Sequence, residues 1–352
     1  MNRDYIRELD RIIVSVKESA GMDSRFSPHC ISEGDGPVEL RGEKILWEEL
    51  IHKIKGFELT GERSGRARFD NESGIDIAFS CLNVKDNAPL VVNAGSVNVR
   101  KRPSAGSELL TQALIGERMK SFCRHGGWLL VRMEDGYCGW VEDQGIININ
   151  QRDMKNYREN INSMVTARAA PVYSEPADES CIDDELTAGS RIAAVKAGDR
   201  FLRVIFPSGT EGFIEGNSAE AINREQAGPA GILRRAAGFM GIPYLWGGTT
   251  SRGFDCSGLV KRVFDMEGMA LPRDSDLQAE AVIPIEPGEA IESRPGSLLF
   301  FGRDVHISHV AISAGGGNFI HCSGKVRMDS FNRVGCELRR GELRGAGKIF
   351  SE

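Results

Sequence analysis

The sequence predicts a multidomain protein in which a partly helical segment and two small all-β barrels precede an α+β domain. Its 352 residues exceed one ordinary domain and suit two to four. Short β-branched runs separated by Gly, Pro and Asn fill the middle of the chain, as in small antiparallel barrels. In the last third, helical patterns come first and strand-like runs follow, which is an α+β order. The predicted domains are 1–87, 88–146, 160–224 and 228–352.

Composition and charge limit the classes of function. Hydrophobic residues make up 41% of the chain and charged residues 27%, which is typical of a soluble globular protein. The net charge of −6 argues against a nucleic-acid partner, because such a protein needs a basic surface against phosphates. In 1–18 charges interrupt every apolar run except 12–14, which is too short for a secretion signal or a membrane span. We therefore expect a cytoplasmic protein without a membrane partner, or a secreted one if a leader has been removed.

The N-terminal segment shows helical periodicity but no motif. Apolar residues recur at three- and four-residue spacings within 4–18 and again within 43–54, which predicts two amphipathic helices. Eight cysteines are scattered along the whole chain, and no C-x-x-C pair occurs. A structural zinc site of the usual spacing is therefore not expected, and most of the cysteines should be small buried side chains.

A weak internal repeat indicates that the two barrels are copies of one fold. The segments 99–103, 128–132 and 139–141 recur as 167–171, 201–205 and 212–214. The second and third segments lie farther along the chain from their counterparts than the first segment does. The second copy therefore carries a short insertion. Two barrels are therefore predicted, at 88–146 and 160–224.

The C-terminal domain contains a cysteine placed for nucleophilic chemistry. Asp255 follows a Gly-rich loop and precedes an apolar-periodic run, which predicts that it caps a helix. Cys256 then lies in the first helical turn, where the helix dipole and the unpaired N–H groups favour a thiolate. Because the Asp255 carboxylate opposes this effect, a cationic partner is also expected near the cysteine.

Two histidines downstream are candidates for that partner. His309 begins an apolar strand, His321 ends the next one, and the glycines at 315–317 predict a hairpin between them. Antiparallel pairing would bring Cys256, His309 and His321 together as a nucleophile, a base and an orienting group. By alternation His306 points to the opposite strand face from His309. Two other interpretations stay open, namely a structural cysteine and a zinc site built from the same three residues.

The segment 243–260, PYLWGGTTSRGFDCSGLV, resembles the nucleophile motif of the NlpC/P60 peptidases. LPRDSDLQ, RPGSLLFFG, ISHVAIS and FIHCSGKVRMDS resemble the later blocks of that family in order, so that the likeness covers 228–350. It implies a papain-like α+β domain and a cysteine peptidase, a hydrolase of cell-wall peptides. The two barrels resemble bacterial SH3 domains, the first copy closely. They are expected either to support the catalytic domain or to bind wall glycan and shape the mouth of the site.

Carried over position by position, the resemblance implies that Cys256 attacks the peptide carbonyl, His309 acts as general base and acid, and His321 orients it. It also implies that Tyr244 and the backbone N–H of Cys256 stabilise the developing oxyanion. Cys322 stands where the family often has a small hydroxyl residue, which implies a greater sensitivity to oxidation.

The resemblance further implies a set of substrate-binding residues. These are Asp255, Ser257 and Trp246 around the nucleophile, Asp274 and Ser275 in the RDSD segment, and Glu108 and Tyr137 in the first barrel. Glu108, Tyr137 and Asp274 are expected to recognise a free amine, because carboxylates and a phenol oxygen bind an ammonium group well. For Glu108, an ordinary surface charge is an equally open interpretation.

Together these features imply an endopeptidase of murein peptide recycling. It would cleave the γ-D-glutamyl–L-diamino acid bond, with lysine or diaminopimelate, in muropeptides that carry a free N-terminal L-alanine. Its partners would be peptidoglycan-derived peptides. The alternatives are a secreted hydrolase of intact peptidoglycan and a non-catalytic SH3-type wall-binding protein. No metal or organic cofactor is implied, since the sequence has no phosphate-binding loop or dinucleotide fingerprint.

Overall fold

A computed structural model describes residues 89–349 except 178–179, 223–227, 287–288, 305 and 334–341. Before residue 89 it describes 11, 13–18, 22–23, 25 and five strands. The chain divides into two compact units. The first consists of Met1–Leu90, Arg100–Ser107 and Arg118–Asn150, and the second of Val91–Val99, Glu108–Glu117 and Gln151–Glu352. The domain limits predicted from the sequence stay predictions.

The first unit begins with a helical stretch and a five-stranded sheet. The strands are β1 (His29–Ser32), β2 (Val38–Gly42), β3 (Glu58–Gly61), β4 (Ser64–Phe69) and β5 (Ile75–Cys81). Their order is β1-β2-β5-β4-β3, and only the β2–β5 pair is parallel. Residues 11 and 13–18 are helical, in line with part of the helix predicted over 4–18. The helix predicted over 43–54 lies outside the described residues, and the sheet was not predicted.

The first repeat copy forms the strands of one seven-stranded sheet. They are β6 (Pro89–Val92), β7 (Ser96–Arg100), β8 (Leu109–Leu114), β9 (Arg118–His125), β10 (Trp128–Met133), β11 (Cys138–Glu142) and β12 (Ile146–Asn148). Within the first unit, β10 pairs antiparallel with both β9 and β11. Leu130 lies directly opposite Trp140, and both are buried. Such a cross-strand pair of large apolar side chains stabilises the sheet locally.

The second repeat copy follows helix α1 (Gln151–Asn160) and also forms a seven-stranded sheet. Its strands are β13 (Ser163–Val165), β14 (Ala170–Tyr173), β15 (Ile182–Leu186), β16 (Arg191–Ala197), β17 (Phe201–Ile205), β18 (Glu211–Glu215) and β19 (Ala219–Ala221). Their order is β15-β14-β18-β17-β16-β13-β19. The alternating inward residues of these strands build one apolar core, which includes Val172, Leu186, Ile192, Val204 and Ile214. That this copy is SH3-like stays a prediction.

In its described residues, the C-terminal domain has three helices, a short hairpin and a six-stranded antiparallel sheet. The helices are α2 (Pro229–Gly238), α3 (Cys256–Met266) and α4 (Ser275–Glu280), and the hairpin is β20 (Thr249–Thr250) with β21 (Gly253–Phe254). The sheet strands are β22 (Ile283–Ile285), β23 (Leu298–Arg303), β24 (His306–Gly315), β25 (Asn318–Ser323), β26 (Lys325–Ser330) and β27 (Leu343–Lys348), in the order β22-β27-β23-β24-β25-β26. Helices precede most of the strands, as the sequence predicted.

Both faces of this sheet are covered by apolar side chains. Leu259, Val260 and Val263 of α3 share a core with Val310 and Ile312 of β24 and with the facing residues of β23 and β25. On the opposite face, Phe301, Ala311 and Phe319 form a second cluster. A strand that is buried on both faces reads as a continuous apolar run, and HVAIS in β24 is such a run. The packing of α3 against β24 and β25 brings the start of the helix towards the histidine strands.

The second repeat copy packs directly on the C-terminal domain. Met164 and Ala188 belong to the same core cluster as the side chains of α3. Arg168 donates from Nε to the carbonyl of Gly238 at 2.8 Å and from Nη2 to that of Met240 at 2.9 Å, at the end of α2. Apolar and polar contacts therefore both join the second repeat copy to the C-terminal domain.

In the part of the chain that the structure describes, none of the helices combines the length and the apolar character that a membrane crossing requires.

Candidate active site

Helix α3 begins at Cys256, and its start is fixed by the residue before it. Asp255 has an extended backbone, and its Oδ1 accepts a hydrogen bond from the N–H of Gly258 at 2.7 Å, so it caps the helix as predicted. Its Oδ2 accepts from the N–H of Gly247 at 2.9 Å. A Cβ at position 258 would lie 2.1 Å from the carbonyl oxygen of Gly248, so only glycine allows this approach. The residues D-C-S-G at 255–258 therefore hold the Gly-rich loop against the start of the helix.

The Cys256 side chain is buried beside the ion pair of Asp255 and Arg273. It is 8% exposed, and burial, with the nearby Asp255 carboxylate, raises the pKa of the Cys256 thiol to about 11. The backbone N–H groups of Val310 and Ser257 act in the opposite direction. The helix start alone was expected to favour a thiolate, but burial has the larger effect. Cys256 is therefore a neutral thiol at rest and needs a base to remove its proton.

Two histidines lie in the adjacent hairpin, as the glycines at 315–317 predicted. Strands β24 and β25 pair antiparallel around that turn. His309 Nε2 lies 2.9 Å from His321 Nδ1, and the two rings meet edge to face. Val310, whose N–H interacts with the Cys256 thiol, directly follows His309, so the backbone of β24 passes beside the nucleophile. His306 is exposed on the same strand.

Burial keeps His309 neutral. Loss of solvent, and then the charges of His321 and Arg327, lower the pKa of His309 to about 3. A neutral imidazole can accept a proton, whereas an imidazolium cannot. Since the pKa of Cys256 is raised while that of His309 is lowered, the resting pair is a thiol beside a neutral imidazole. Proton transfer between them would then accompany the attack on a substrate.

Arg273 supplies a cation beside the helix start, and the sequence analysis did not single it out. Its buried guanidinium donates from Nη2 to Asp255 Oδ2 and from Nη1 to Asp255 Oδ1 at 3.1 Å. Nη1 also donates to Ser257 Oγ at 2.9 Å. Asp255 and Ser257 were expected to line the substrate groove. Both side chains are buried and hydrogen-bonded within the protein, and their contact with a substrate stays a prediction.

Gln278 is a second residue that the sequence analysis missed. It is fully buried, and its Nε2 donates to the carbonyls of Ser257 at 3.1 Å and Pro272 at 2.9 Å. These bonds tie α4 to the first turn of α3. Both Arg273 and Gln278 belong to the segment LPRDSDLQ, so the signal was present as a motif block. The sequence does not predict where these two side chains point, because their direction depends on the packing of α4.

Tyr244 and Trp246 lie on the loop that leads into the nucleophile. The Tyr244 hydroxyl has its pKa raised to about 12 by burial and by the charges of Cys256 and Asp255, so it stays a hydrogen-bond donor. The same charges place it in the electrostatic neighbourhood of the thiol. Trp246 is 62% exposed, and its Nε1 donates to Glu108 Oε1 at 3.1 Å. An exposed aromatic ring beside a nucleophile is a surface on which a substrate can lie.

The segment 108–117 is fastened to this loop. The backbone N–H of Thr249 donates to Gln112 Oε1 and its Oγ1 to the Gln112 carbonyl, both at 3.0 Å. Gly247 has a φ of +75°, and a Cβ there would lie 2.3 Å from the Leu109 carbonyl oxygen. Only glycine fits both conditions. The predicted residue Glu108 is thereby held beside the nucleophile loop.

The remaining predicted residues occupy different places. Asp274 is the residue before α4, and its Oδ1 lies 4.0 Å from Arg273 Nη1. Ser275 is the first residue of α4, and both side chains are partly exposed. Tyr137 is buried in the first compact unit, where its N–H donates to Asp135 Oδ1 at 3.1 Å. Its predicted part in amine recognition stays a prediction.

The histidine chain continues beyond the residues predicted from the sequence. His321 Nε2 lies 3.3 Å from Asp329 Oδ2, and Arg327 Nη2 lies 2.9 Å from the same oxygen. Strands β25 and β26 turn at Gly324, which places Arg327 directly opposite His321. A hairpin centred on that glycine was foreseeable from the sequence, and with it the pairing of these residues. Among the described residues, no group of three or more His, Cys, Asp and Glu side chains could hold a metal ion.

Comparison with protein families gives two matches. Residues 241–339 match the NlpC/P60 family, and residues 99–146 match the bacterial dipeptidyl-peptidase SH3 domain. The first match contains the Cys256, His309 and His321 cluster, and the second contains most of the first repeat copy. Both resemblances stated for the sequence are thereby confirmed for these segments.

Two curated relatives and one solved structure are similar to this chain. A gamma-D-glutamyl-L-lysine dipeptidyl-peptidase of Bacillus cereus is 27% identical over 230 residues, which are 61% of this chain and 67% of that protein. A protein of the same name from Bacillus subtilis is 27% identical over 255 residues, which are 69% of this chain and 81% of that protein. The crystal structure of an NlpC/P60 family protein from Bacillus cereus has a TM-score of 0.65 at 22% identity, covering 74% of this chain and 99% of that one. This last likeness shows a common fold.

Proposed function

We propose that this chain cleaves muropeptides between γ-D-glutamate and an L-diamino acid. Residues 241–339 match the NlpC/P60 family, so the chain is a hydrolase of the cysteine peptidase type. The substrates are released peptides with a free N-terminal L-alanine, and the setting is murein peptide recycling in the cytoplasm. The names of the two relatives support this substrate class. The observation that carries the proposal is the Glu108 carboxylate, held by Trp246 beside the loop that leads into Cys256.

The reaction proceeds by acyl transfer through the thiol. His309 takes the proton from Cys256 as the sulfur attacks the γ-glutamyl carbonyl carbon, which gives a tetrahedral oxyanion. The Tyr244 hydroxyl and the backbone N–H of Cys256 donate hydrogen bonds to that oxygen. His309 then gives its proton to the departing amine of the diamino acid. Water hydrolyses the thioester in a second attack, with His309 again as the base, and the free thiol is restored.

Recognition of the free amine depends on acidic side chains near the nucleophile. Glu108 is exposed but fixed by Trp246, and Asp274 lies at the start of α4. An ammonium group forms charge-assisted hydrogen bonds with such carboxylates, which are stronger than bonds between neutral groups. An acetylated amine has lost the positive charge and should bind poorly.

The test is cleavage of L-Ala-γ-D-Glu-L-Lys, its diaminopimelate counterpart and the N-acetylated form of each, followed by mass spectrometry. We expect release of L-Ala-γ-D-Glu from the free-amine peptides and none from a Cys256→Ala variant. Equal cleavage of the acetylated peptides would contradict amine recognition. Release of peptides from intact sacculi at a similar rate would favour a wall hydrolase instead. The diamino acid that is cut faster identifies the preferred substrate.

A further inference from the structure

The second histidine of the site is enclosed between two polar partners. His321 has no exposed surface, and its two ring nitrogens face different groups. Nδ1 lies 2.9 Å from His309 Nε2, and Nε2 lies 3.3 Å from Asp329 Oδ2. Asp329 is itself only 4% exposed. A fully buried imidazole must satisfy both nitrogens within the protein, so its partners decide which nitrogen carries the proton.

The strand register explains how the carboxylate reaches this place. In the hairpin of β25 and β26, Arg327 lies opposite His321, and Asp329 lies opposite Phe319. Residues two apart on a strand face the same side, so Arg327 and Asp329 lie side by side. Arg327 Nη2 is 2.9 Å from Asp329 Oδ2, and Arg333 Nη1 is 3.4 Å from Oδ1. The hydrogen bonds therefore hold the carboxylate in one orientation.

Two groups compete for the Nε2 atom of His321. Asp329 Oδ2 can only accept a hydrogen bond there, whereas Arg327 Nε, 3.4 Å away, can only donate one. If Nε2 lacked a proton, its lone pair would face the carboxylate oxygen in a place without solvent. Arg327 is 28% exposed at its side chain and already pairs with Asp329, so it does not depend on the imidazole. The arrangement with a proton on His321 Nε2 is therefore favoured.

The position of the proton on His321 determines the position of the proton on His309. With its proton on Nε2, His321 presents the Nδ1 lone pair to His309 and must accept a hydrogen bond from it. His309 then carries its own proton on Nε2, which leaves the Nδ1 lone pair for the Cys256 thiol. The opposite choice would place a proton on His309 Nδ1, where it would block proton transfer from the sulfur.

We propose that Asp329 is a positioning residue that fixes the tautomers of His321 and His309, so that His309 can act as the base. Asp329 touches neither the thiol nor the substrate and acts only through His321. The inference rests on the proposed use of His309 as the base for Cys256. It extends the predicted group of Cys256, His309 and His321 by a fourth side chain.

The first test compares two substitutions of nearly equal size. Asp329→Leu removes the acceptor, whereas Asp329→Asn keeps an amide oxygen that can accept from His321. We expect Asp329→Leu to lower kcat by about 100-fold or more with KM within about threefold, since an orienting carboxylate has effects of this order. Asp329→Asn should recover most of the loss. Asp199→Leu, the same exchange at an exposed position between β16 and β17, is the matched control and should stay within about twofold of the parent protein.

The second test does not depend on the peptide that is cut. The nitrogen chemical shifts of the imidazoles report which ring atoms carry protons, and His309→Gln and His321→Gln variants assign the signals. We expect Nε2 protonation of both histidines in the parent protein and Nδ1 protonation in Asp329→Leu. Alkylation of Cys256 by iodoacetamide near neutral pH should slow in parallel, by about tenfold.

The two tests separate the inference from the proposed function. If none of the test peptides is cut, but the tautomers of His309 and His321 change in Asp329→Leu, the substrate proposal fails and the positioning role stands. Nδ1 protonation of His309 in the parent protein would overturn the positioning role, whether or not Asp329→Leu folds. Equal losses of kcat in Asp329→Leu and Asp329→Asn, with unchanged tautomers, would also overturn it, because they would indicate a structural effect of the buried charge.

Discussion

The two sides of the site, the start of helix α3 and the histidine strands β24 and β25, are held together by different kinds of interaction. On the helix side, Asp255 bonds to backbone N–H groups and to the buried guanidinium of Arg273, so that a full negative charge meets a full positive one. On the strand side, the ring nitrogens His309 Nε2 and His321 Nδ1 lie 2.9 Å apart. The first arrangement fixes a position, and the second can relay a proton.

This difference indicates which side tolerates change. A buried ion pair loses several kcal/mol of stability when one partner is removed, because the other charge stays without solvent. A histidine exchanged for a neutral side chain of similar size leaves no such charge behind. We therefore expect substitution of Arg273 to act through folding and substitution of His309 to act through catalysis.

The largest effect should come from the strand side. Exchange of His309 for Gln keeps a polar side chain but removes the base, so kcat/KM should fall by about 10³-fold or more. The free energy of unfolding should change by less than about 1 kcal/mol. Peptide hydrolysis and urea unfolding measure the two quantities. His306→Gln on the same strand is the matched control, since His306 is exposed, and it should keep full activity.

The next effect should come from the helix side. Arg273→Met leaves the Asp255 carboxylate buried without its guanidinium and should lower the free energy of unfolding by about 3–5 kcal/mol. Urea unfolding followed by far-UV circular dichroism measures this change. In the double variant with Asp255→Asn, the amide can still cap Gly258, and no charge is left unpaired. Part of the lost stability should therefore return, and a loss below 1 kcal/mol in Arg273→Met would contradict the comparison.

The local features of both sides were predicted from the sequence. Asp255 as a helix cap follows from residues within four positions, and the structure confirms it with the bond to Gly258. The hairpin of β24 and β25 followed from three consecutive glycines and is present. Both features depend on local conformation, which the sequence encodes most directly.

The partners that complete each side were not predicted. Arg273 lies 18 residues after Asp255, and its direction depends on the packing of α4 against α3. Asp329 reaches His321 only through the register of β25 and β26, which one residue of slip would reverse. Strands β2 (VELRG) and β5 (IDIAFSC) alternate apolar residues with polar or small ones, so this sheet carried a period-two signal that the prediction did not use. Residues whose contacts depend on the packing of distant segments, such as Arg273, were not predicted.

The pH dependence of Cys256 alkylation tests whether the thiol is neutral at rest. Since the pKa of Cys256 is raised to about 11, the neutral form prevails below that pH, and the thiolate fraction rises about tenfold for each pH unit up to it. Alkylation by iodoacetamide should follow this rise between pH 8 and pH 11, whereas an ordinary thiol levels off above about pH 8.5. Mass spectrometry of the peptide that contains Cys256 gives the rate, with Cys256→Ala as the background. A plateau below pH 8 would show a preformed thiolate and imidazolium pair instead.

The smallest effect should come from Glu108, whose Oε1 accepts from Trp246 beside the helix side. Gln at this position keeps the acceptor oxygen, so the loop keeps its place and only the charge is lost. KM for L-Ala-γ-D-Glu-L-Lys should rise about tenfold, which corresponds to about 1.4 kcal/mol of binding free energy, while kcat stays nearly constant. Glu211→Gln on β18, another exposed acid, is the matched control and should leave KM unchanged. An unchanged KM in Glu108→Gln would mean that Glu108 is an ordinary surface charge, and the free amine would then depend on Asp274 and other groups.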